Sequence, residues 1–137
     1  MKHASSRSAD DLEQLRRAFE AAPSVVILTH DNPDPDALAS TFALRLLLEH
    51  LCDTKVSVAF SGLIGRAENR AMAQVLGLDP EPLATLDLTE VNAFAMVDTQ
   101  PGTGNNSWIN DWPLVAVFDH HPLKFDPDTV AFAAVCQ

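Results

Sequence analysis

Short apolar runs that stop abruptly at histidine or aspartate constrain this chain more than any other feature. Val25-Val26-Ile27-Leu28 is followed at once by Thr29-His30-Asp31-Asn32-Pro33-Asp34-Pro35-Asp36. Val91–Val97 stops at Asp98, and Leu114–Phe118 stops at Asp119-His120-His121. Unbroken apolar runs of this length predict strands buried on both faces of a parallel sheet. Lys55–Phe60 alternates and predicts another strand, and Val130–Val135 a last one. Helical patterns lie between them. Residues 9–21 place Leu12, Leu15 and Phe19 at helical spacing, and Pro23 ends that helix. A second helix is predicted from Ala37 to about Leu51 with Asp36 as its N-cap. Pro33 and Pro35 hold the loop before it extended. A third covers 66–76 and closes at Gly77. Residues 78–88 are punctuated by proline and give no assignment. Strands alternating with helices imply right-handed parallel crossovers. The expected fold is α/β, with an open, mainly parallel sheet flanked by helices on both faces.

The 137 residues suffice for one domain with an ordinary core. No apolar run approaches the roughly 18 residues of a membrane span, and the polar start MKHASSRSADD lacks a signal core. Cys52 and Cys136 are too few for a disulfide framework. The sequence is therefore read as a reduced, cytoplasmic domain with no membrane partner. Asp and Glu number 19 against 9 Lys and Arg, a net charge of −10. A passive nucleic-acid binder lays cations along phosphates, which this balance excludes. A phosphate-ester substrate would need neutralising by something else, and divalent metal is the obvious candidate. Surplus acid also serves solubility alone.

In an open parallel sheet the carboxyl ends of the strands line one crevice. His30, Asp34, Asp36, Asp98, Asp119, His120 and His121 are thus expected along one edge. Taken singly each is ordinary: an aspartate after a strand caps a turn, and His120-His121 is a solvated turn before Pro122. Together they are not, because clustered carboxylates repel without a counterion and none of the three clusters contains Lys or Arg. Imidazole mixed with carboxylate, without thiolate, favours Mn²⁺, Mg²⁺ or a similar octahedral ion over structural zinc. The donors exceed what one ion needs, which fits a two-metal site with a bridging carboxylate.

Arg66 and Arg70, four apart on the predicted third helix, are candidates for bidentate phosphate binding; the plainer reading is a solvated face beside Glu68 and Asn69. Residues 100–106 read as a substrate loop or a flexible turn. Trp108 and Trp112 stack a base or simply pack.

The segments H30-D-N-P-D-P-D-A-L-A-S40, V97-D-T-Q100 and D119-H-H-P122 resemble the first three motifs of the DHH phosphoesterases, over about residues 24–125. That family includes RecJ-type exonucleases, oligoribonucleases that also dephosphorylate 3′-phosphoadenosine 5′-phosphate, cyclic-dinucleotide phosphodiesterases and manganese pyrophosphatases. The resemblance implies that His30 and Asp34 bind one metal, that Asp36 and His120 bind a second, and that Asp98 bridges them. It implies that His121 faces the substrate phosphate, that Asp119 orients a ligand histidine, and that Asn32 touches phosphate. The implied cofactor is two Mn²⁺ ions, with Mg²⁺ as the alternative. The implied substrate is a short oligonucleotide or nucleotide phosphate, attacked by activated water.

The chain departs from the family pattern downstream. Members use a further aspartate after the triplet, and Asp126 and Asp128 come too soon to replace it. Members also carry a separate C-terminal substrate domain, so residues 1–137 are expected to be a truncated catalytic half. Pro35 stands where many members have glycine. Three other readings remain: a non-catalytic metal- or nucleotide-binding domain, a pyrophosphatase or polyphosphatase of the same family, and a response-regulator-like pocket using Lys124. A free sheet edge near 130–135 invites pairing with a second copy.

Overall fold

Val25 to Leu28 are all buried because β1 (Ser24–Leu28) lies in the interior of a six-stranded sheet. A computed structural model describes the backbone of residues 2–136 and the side chains of residues 8–135. The remaining strands are β2 (Lys55–Phe60), β3 (Glu81–Pro82), β4 (Ala93–Val97), β5 (Leu114–Pro122) and β6 (Phe132–Cys136). The helices are α1 (Lys2–Phe19), α2 (Pro35–Leu51) and α3 (Ala67–Val75), with 3₁₀ turns at Leu83–Thr85 and Pro127–Thr129. The strand order is β3-β2-β1-β4-β5-β6, and every pair is parallel. Ile27 sits in register with Val58 on one side and Ala95 on the other. The chain winds outward in one direction from β1 and then in the other from β4. The switch point between these strands is where parallel sheets open a crevice.

One face of the sheet presents Val25, Ile27, Val56, Val58, Ala93, Ala95, Val97 and Ala116 to Leu15 and Phe19 of α1 and to Leu38, Leu44 and Leu48 of α2. Removing one of these buried side chains, Ile27 for example, would cost about 2–5 kcal/mol. The opposite face presents Val26, Leu28, Phe94, Met96 and Val117. Its cover is Leu83 of the first 3₁₀ turn, with Leu86, Trp108, Trp112 and Phe125 from loops. The α-helical residues of the core thus all lie on one face, and 3₁₀ and loop segments replace the helices expected on the other. The reason is local. The β4–β5 connection carries Pro101, Gly102, Gly104 and Pro113, a composition that breaks helices. Trp112 stacks on Phe94 with ring centroids 5.0 Å apart and planes 11° from parallel, so this ring packs the core rather than waiting for a base.

β5 runs through the Asp119-His120-His121 triplet, and its pairing with β6 is irregular between Asp119 and Pro122. A regular strand sends successive side chains to opposite faces. Such an irregularity re-aims them, and His120 and His121 end with ring centroids only 4.2 Å apart. Among the described residues no helix is long and apolar enough to cross a membrane.

Candidate metal centre

The loop after β1 is shaped by its prolines. Pro35 is the first residue of α2, a position that needs no N–H donor. The N-cap is therefore Asp34, not Asp36: Asp34 Oδ1 accepts from Ala37 N at 2.9 Å. Asp36 falls in the first helical turn and projects an exposed carboxylate.

His30 leaves the end of β1 with its ring half-buried. Its Nδ1 lies 2.8 Å from the Asp31 carbonyl. A carbonyl only accepts, so the proton sits on Nδ1 and the neutral ring presents the bare lone pair of Nε2. That lone pair faces Asp98 Oδ2 at 3.4 Å and Asp34 Oδ1 at 3.7 Å. Asp98 follows β4 with φ of 57°, a left-handed turn that aspartate tolerates better than most residues. Its backbone N–H is held by the Phe118 carbonyl at 2.9 Å. Its side chain is only 6% exposed, and Oδ1 is buried with no hydrogen-bond partner. That oxygen lies 2.9 Å from His120 Nε2 without a hydrogen bond to it, and His120 Nε2 is 3.7 Å from Asp36 Oδ2. Burial, and next the charge of Asp36, push the Asp98 carboxyl above its usual range.

Two imidazole nitrogens thus face one buried carboxylate whose Oδ1 has no hydrogen-bond partner. Neighbouring ligand atoms on an octahedral ion lie about 3 Å apart when each bond is about 2.1 Å. The separations of 2.9 to 3.7 Å between His30, His120 and their carboxylates suit cations between them. Two groups share Asp98: His30 with Asp34, and His120 with His121 and Asp119. The donor set, nitrogen and oxygen without sulfur, fits Mn²⁺ or Mg²⁺.

Asp119 is occupied otherwise. Its Oδ1 accepts from His121 Nδ1 at 2.7 Å, and its Oδ2 accepts from Gln100 Nε2 at 2.7 Å. It holds His121, the residue read as facing substrate, rather than His30 or His120, the histidines expected to bind metal. That bond pushes the His121 pKa above its ordinary value. Gln100, fully buried, also donates to the Pro122 carbonyl and accepts from Lys124 N. The sequence shows Gln100 only as the end of a motif; its anchoring role depends on partners about twenty residues away.

The loop after Asp98 is ordered by its own side chains. Asn106 Nδ2 donates to Thr99 Oγ1 and to the Gln100 carbonyl, and the Asn105 carbonyl accepts from Asp31 N at 2.6 Å. Asn105 joins His30, Asp34, Asp36, Asp98, His120 and His121 around a cleft of about 290 Å³. Asn32, at φ of 52°, accepts at Oδ1 from the Leu63 N–H at 2.9 Å and so braces the loop after β2 with its oxygen. Arg70 spends its guanidinium on the Ile64 and Gly65 carbonyls, whereas Arg66 lines a cleft beside Asp34. Lys124 enters the network through its backbone N–H, and its side chain joins no ion pair among the described residues.

Fold and cluster together define an α/β domain whose nitrogen and oxygen donors gather beyond the carboxyl ends of its parallel strands. Residues 24–137 match the DHH family, N-terminal domain, and the chain belongs to that family. It is 36% identical over 102 residues to an uncharacterized protein of Methanocaldococcus jannaschii, an alignment covering 74% of this chain and 21% of that one. It is similar in structure to an exopolyphosphatase-related protein from Bacteroides fragilis. The TM-score is 0.56 at 17% identity, covering 93% of this chain and 38% of that one. At that identity the likeness concerns the fold alone. The chain spans about a fifth of the first protein and under two-fifths of the second.

Proposed function

We propose that this chain carries the metal-binding half of a manganese-dependent phosphoesterase acting on short oligonucleotides or small nucleotide phosphates. Family membership supports the hydrolase class. The finer reading rests on one observation: the buried Asp98 carboxylate lies 2.9 Å from His120 Nε2 and 3.4 Å from His30 Nε2, and its buried Oδ1 has no hydrogen-bond partner. His30 and Asp34 would hold one ion, Asp36 and His120 a second, and Asp98 would touch both. Bound there, such ions lower the pKa of water and take up charge on phosphoryl oxygens.

The chain's own groups prepare that chemistry. The Asp31 carbonyl fixes the His30 tautomer. Asp119 keeps a proton on His121 Nδ1, and the raised His121 pKa favours an imidazolium able to donate to a phosphoryl oxygen. Gln100 keeps Asp119 in place. The same reading places the chain in the cytoplasm, where the free thiol of Cys52 would stay reduced.

Calorimetric titration with Mn²⁺, followed by hydrolysis of a dinucleotide, tests the proposal. The expected result is two bound ions and turnover that falls about a hundredfold in His121→Ala with both ions retained. A chain that binds no divalent ion would sink the reading.

A further inference from the structure

Two adjacent asparagines in the loop after β4 use opposite ends of their carboxamides. Asn106 turns its Nδ2 inward, donating to Thr99 Oγ1 at 2.9 Å and to the Gln100 carbonyl at 3.0 Å. Thr99 Oγ1 accepts in that contact and has one proton to give, which goes to Asn105 Oδ1 at 2.7 Å. Thr99 is itself only 1% exposed, and Thr103 Oγ1 also lies against Asn105 Oδ1. The Asn105 backbone carbonyl is tied to Asp31 N. Both oxygens of Asn105 are therefore spent inside the loop, and its Nδ2 has no acceptor among the described residues. The residue is exposed, and it lines the metal cleft with Asp34, Asp36 and Asp98.

We propose that Asn105 touches substrate directly, donating an Nδ2–H to a non-bridging oxygen of the phosphoryl group under attack. The inference rests on the metal-centre reading above and adds to it an uncharged contact from the protein itself. Donors are scarce in that cleft, and a phosphoryl oxygen only accepts. Ionised carboxylates have no proton to offer. His30 commits its Nδ1 proton to the Asp31 carbonyl, and His121 commits its own to Asp119. His120 turns Nε2 to Asp98. Among the described residues no lysine or arginine lines the cleft. A fixed cation there would compete with metal for the same carboxylates. An amide has neither drawback: it carries no charge, and it donates at every pH at which the fold stands. Thr99 and the Asp31 N–H hold Asn105 from both ends before substrate arrives, so little side-chain freedom is left to lose on binding. On this account residues 100–106 form a substrate loop rather than a flexible turn.

The test uses orthophosphate as the probe and the Mg²⁺-loaded chain, which is diamagnetic and suits NMR. The side-chain amide signals of Asn105 and Asn106 are followed, that of Asn105 being identified by its loss in Asn105→Asp. On saturation with phosphate the Asn105 signal should move downfield, while that of Asn106, locked to Thr99, stays in place. Calorimetry on two variants supplies the second readout. Aspartate keeps an oxygen for Thr99 and Thr103, and alanine does not, so a side chain that only braced the loop would make Asn105→Ala the worse variant. A donor to substrate makes Asn105→Asp at least as damaging. Both variants should bind phosphate about tenfold more weakly, or worse, with the ions retained and the melting curve of Asn105→Asp unchanged. If phosphate binds and the Asn105 signal stays still, or moves together with that of Asn106, the contact is overturned and the metal centre stands. The same holds if Asn105→Asp binds phosphate as wild type does, or if the ions load and phosphate does not bind. If no divalent ion binds, both readings fall.

Discussion

Replacing Asp98 by asparagine should make the metal-free protein more stable and the metal-loaded protein less so. Asparagine keeps the shape of the side chain and tolerates the φ of 57° at this position, so the backbone need not move. In wild type, Oδ1 is buried without a hydrogen bond, 2.9 Å from His120 Nε2. An amide N–H placed there would donate to that nitrogen. Relieving one unsatisfied buried acceptor is worth about 1–2 kcal/mol, or roughly 4–8 °C in Tm for a domain of this size. The gain has a pH signature. Burial raises the folded pKa of Asp98, so wild type has its full stability below the ordinary carboxyl range and loses this part as pH rises through the raised value. The advantage of Asp98→Asn should therefore be largest at neutral pH and fade in acid. With Mn²⁺ the order reverses. An ion at a hundred times its Kd adds about 2.7 kcal/mol to wild type, roughly 8–13 °C, and Asp98→Asn should show little of that shift. Differential scanning calorimetry in EDTA and in Mn²⁺ measures both arms. A variant that melts lower than wild type in EDTA and keeps the full Mn²⁺ shift would refute the claim that this carboxylate awaits a cation.

Gln100→Ala should lower Tm by about 6–15 °C, since it strips partners from Asp119, the Pro122 carbonyl and Lys124 N at a cost of about 2–4 kcal/mol; thermal melts in EDTA check it. Asp119→Asn should return the His121 titration midpoint, followed by proton NMR of the ring, downward to the ordinary histidine range, because the hydrogen bond that raises it is lost. The stability that this pair contributes is present below the ordinary histidine range and fades as pH rises through the raised value. Gly62→Ala should destabilise by about 1–3 kcal/mol in urea unfolding: the residue sits at φ of 75°, and an added Cβ would lie 2.3 Å from Asn32 Oδ1.

The parallel strands were legible because residues buried on both faces leave unbroken apolar runs, as at Val25–Leu28. The metal-centre candidates were legible because they sit where three such runs stop. What stayed hidden depends on distant backbone. The partners that the path of residues 61–65 gives to Asn32 Oδ1 and to the Arg70 guanidinium cannot be read from spacing. The choice between Asp34 and Asp36 as cap turned on Pro35 taking the first helical position. The bulge that gathers His120 and His121 depends on β6, which is distant in sequence. The second face was unreadable because its cover has no period: Leu83, Leu86, Trp108 and Phe125 are scattered over turns.

The loop between β4 and β5 belongs to two systems at once. At one end its Trp112 seals the sheet against Phe94, and in its middle the Asn105 carbonyl grips Asp31 beside His30. A lesion in that aromatic seal, far from any donor atom, would loosen the very turn that aims the His30 ring. Folding defects and lost chemistry should therefore travel together in variants of this stretch, whereas changes on the outer surface of α1 should leave the histidines undisturbed.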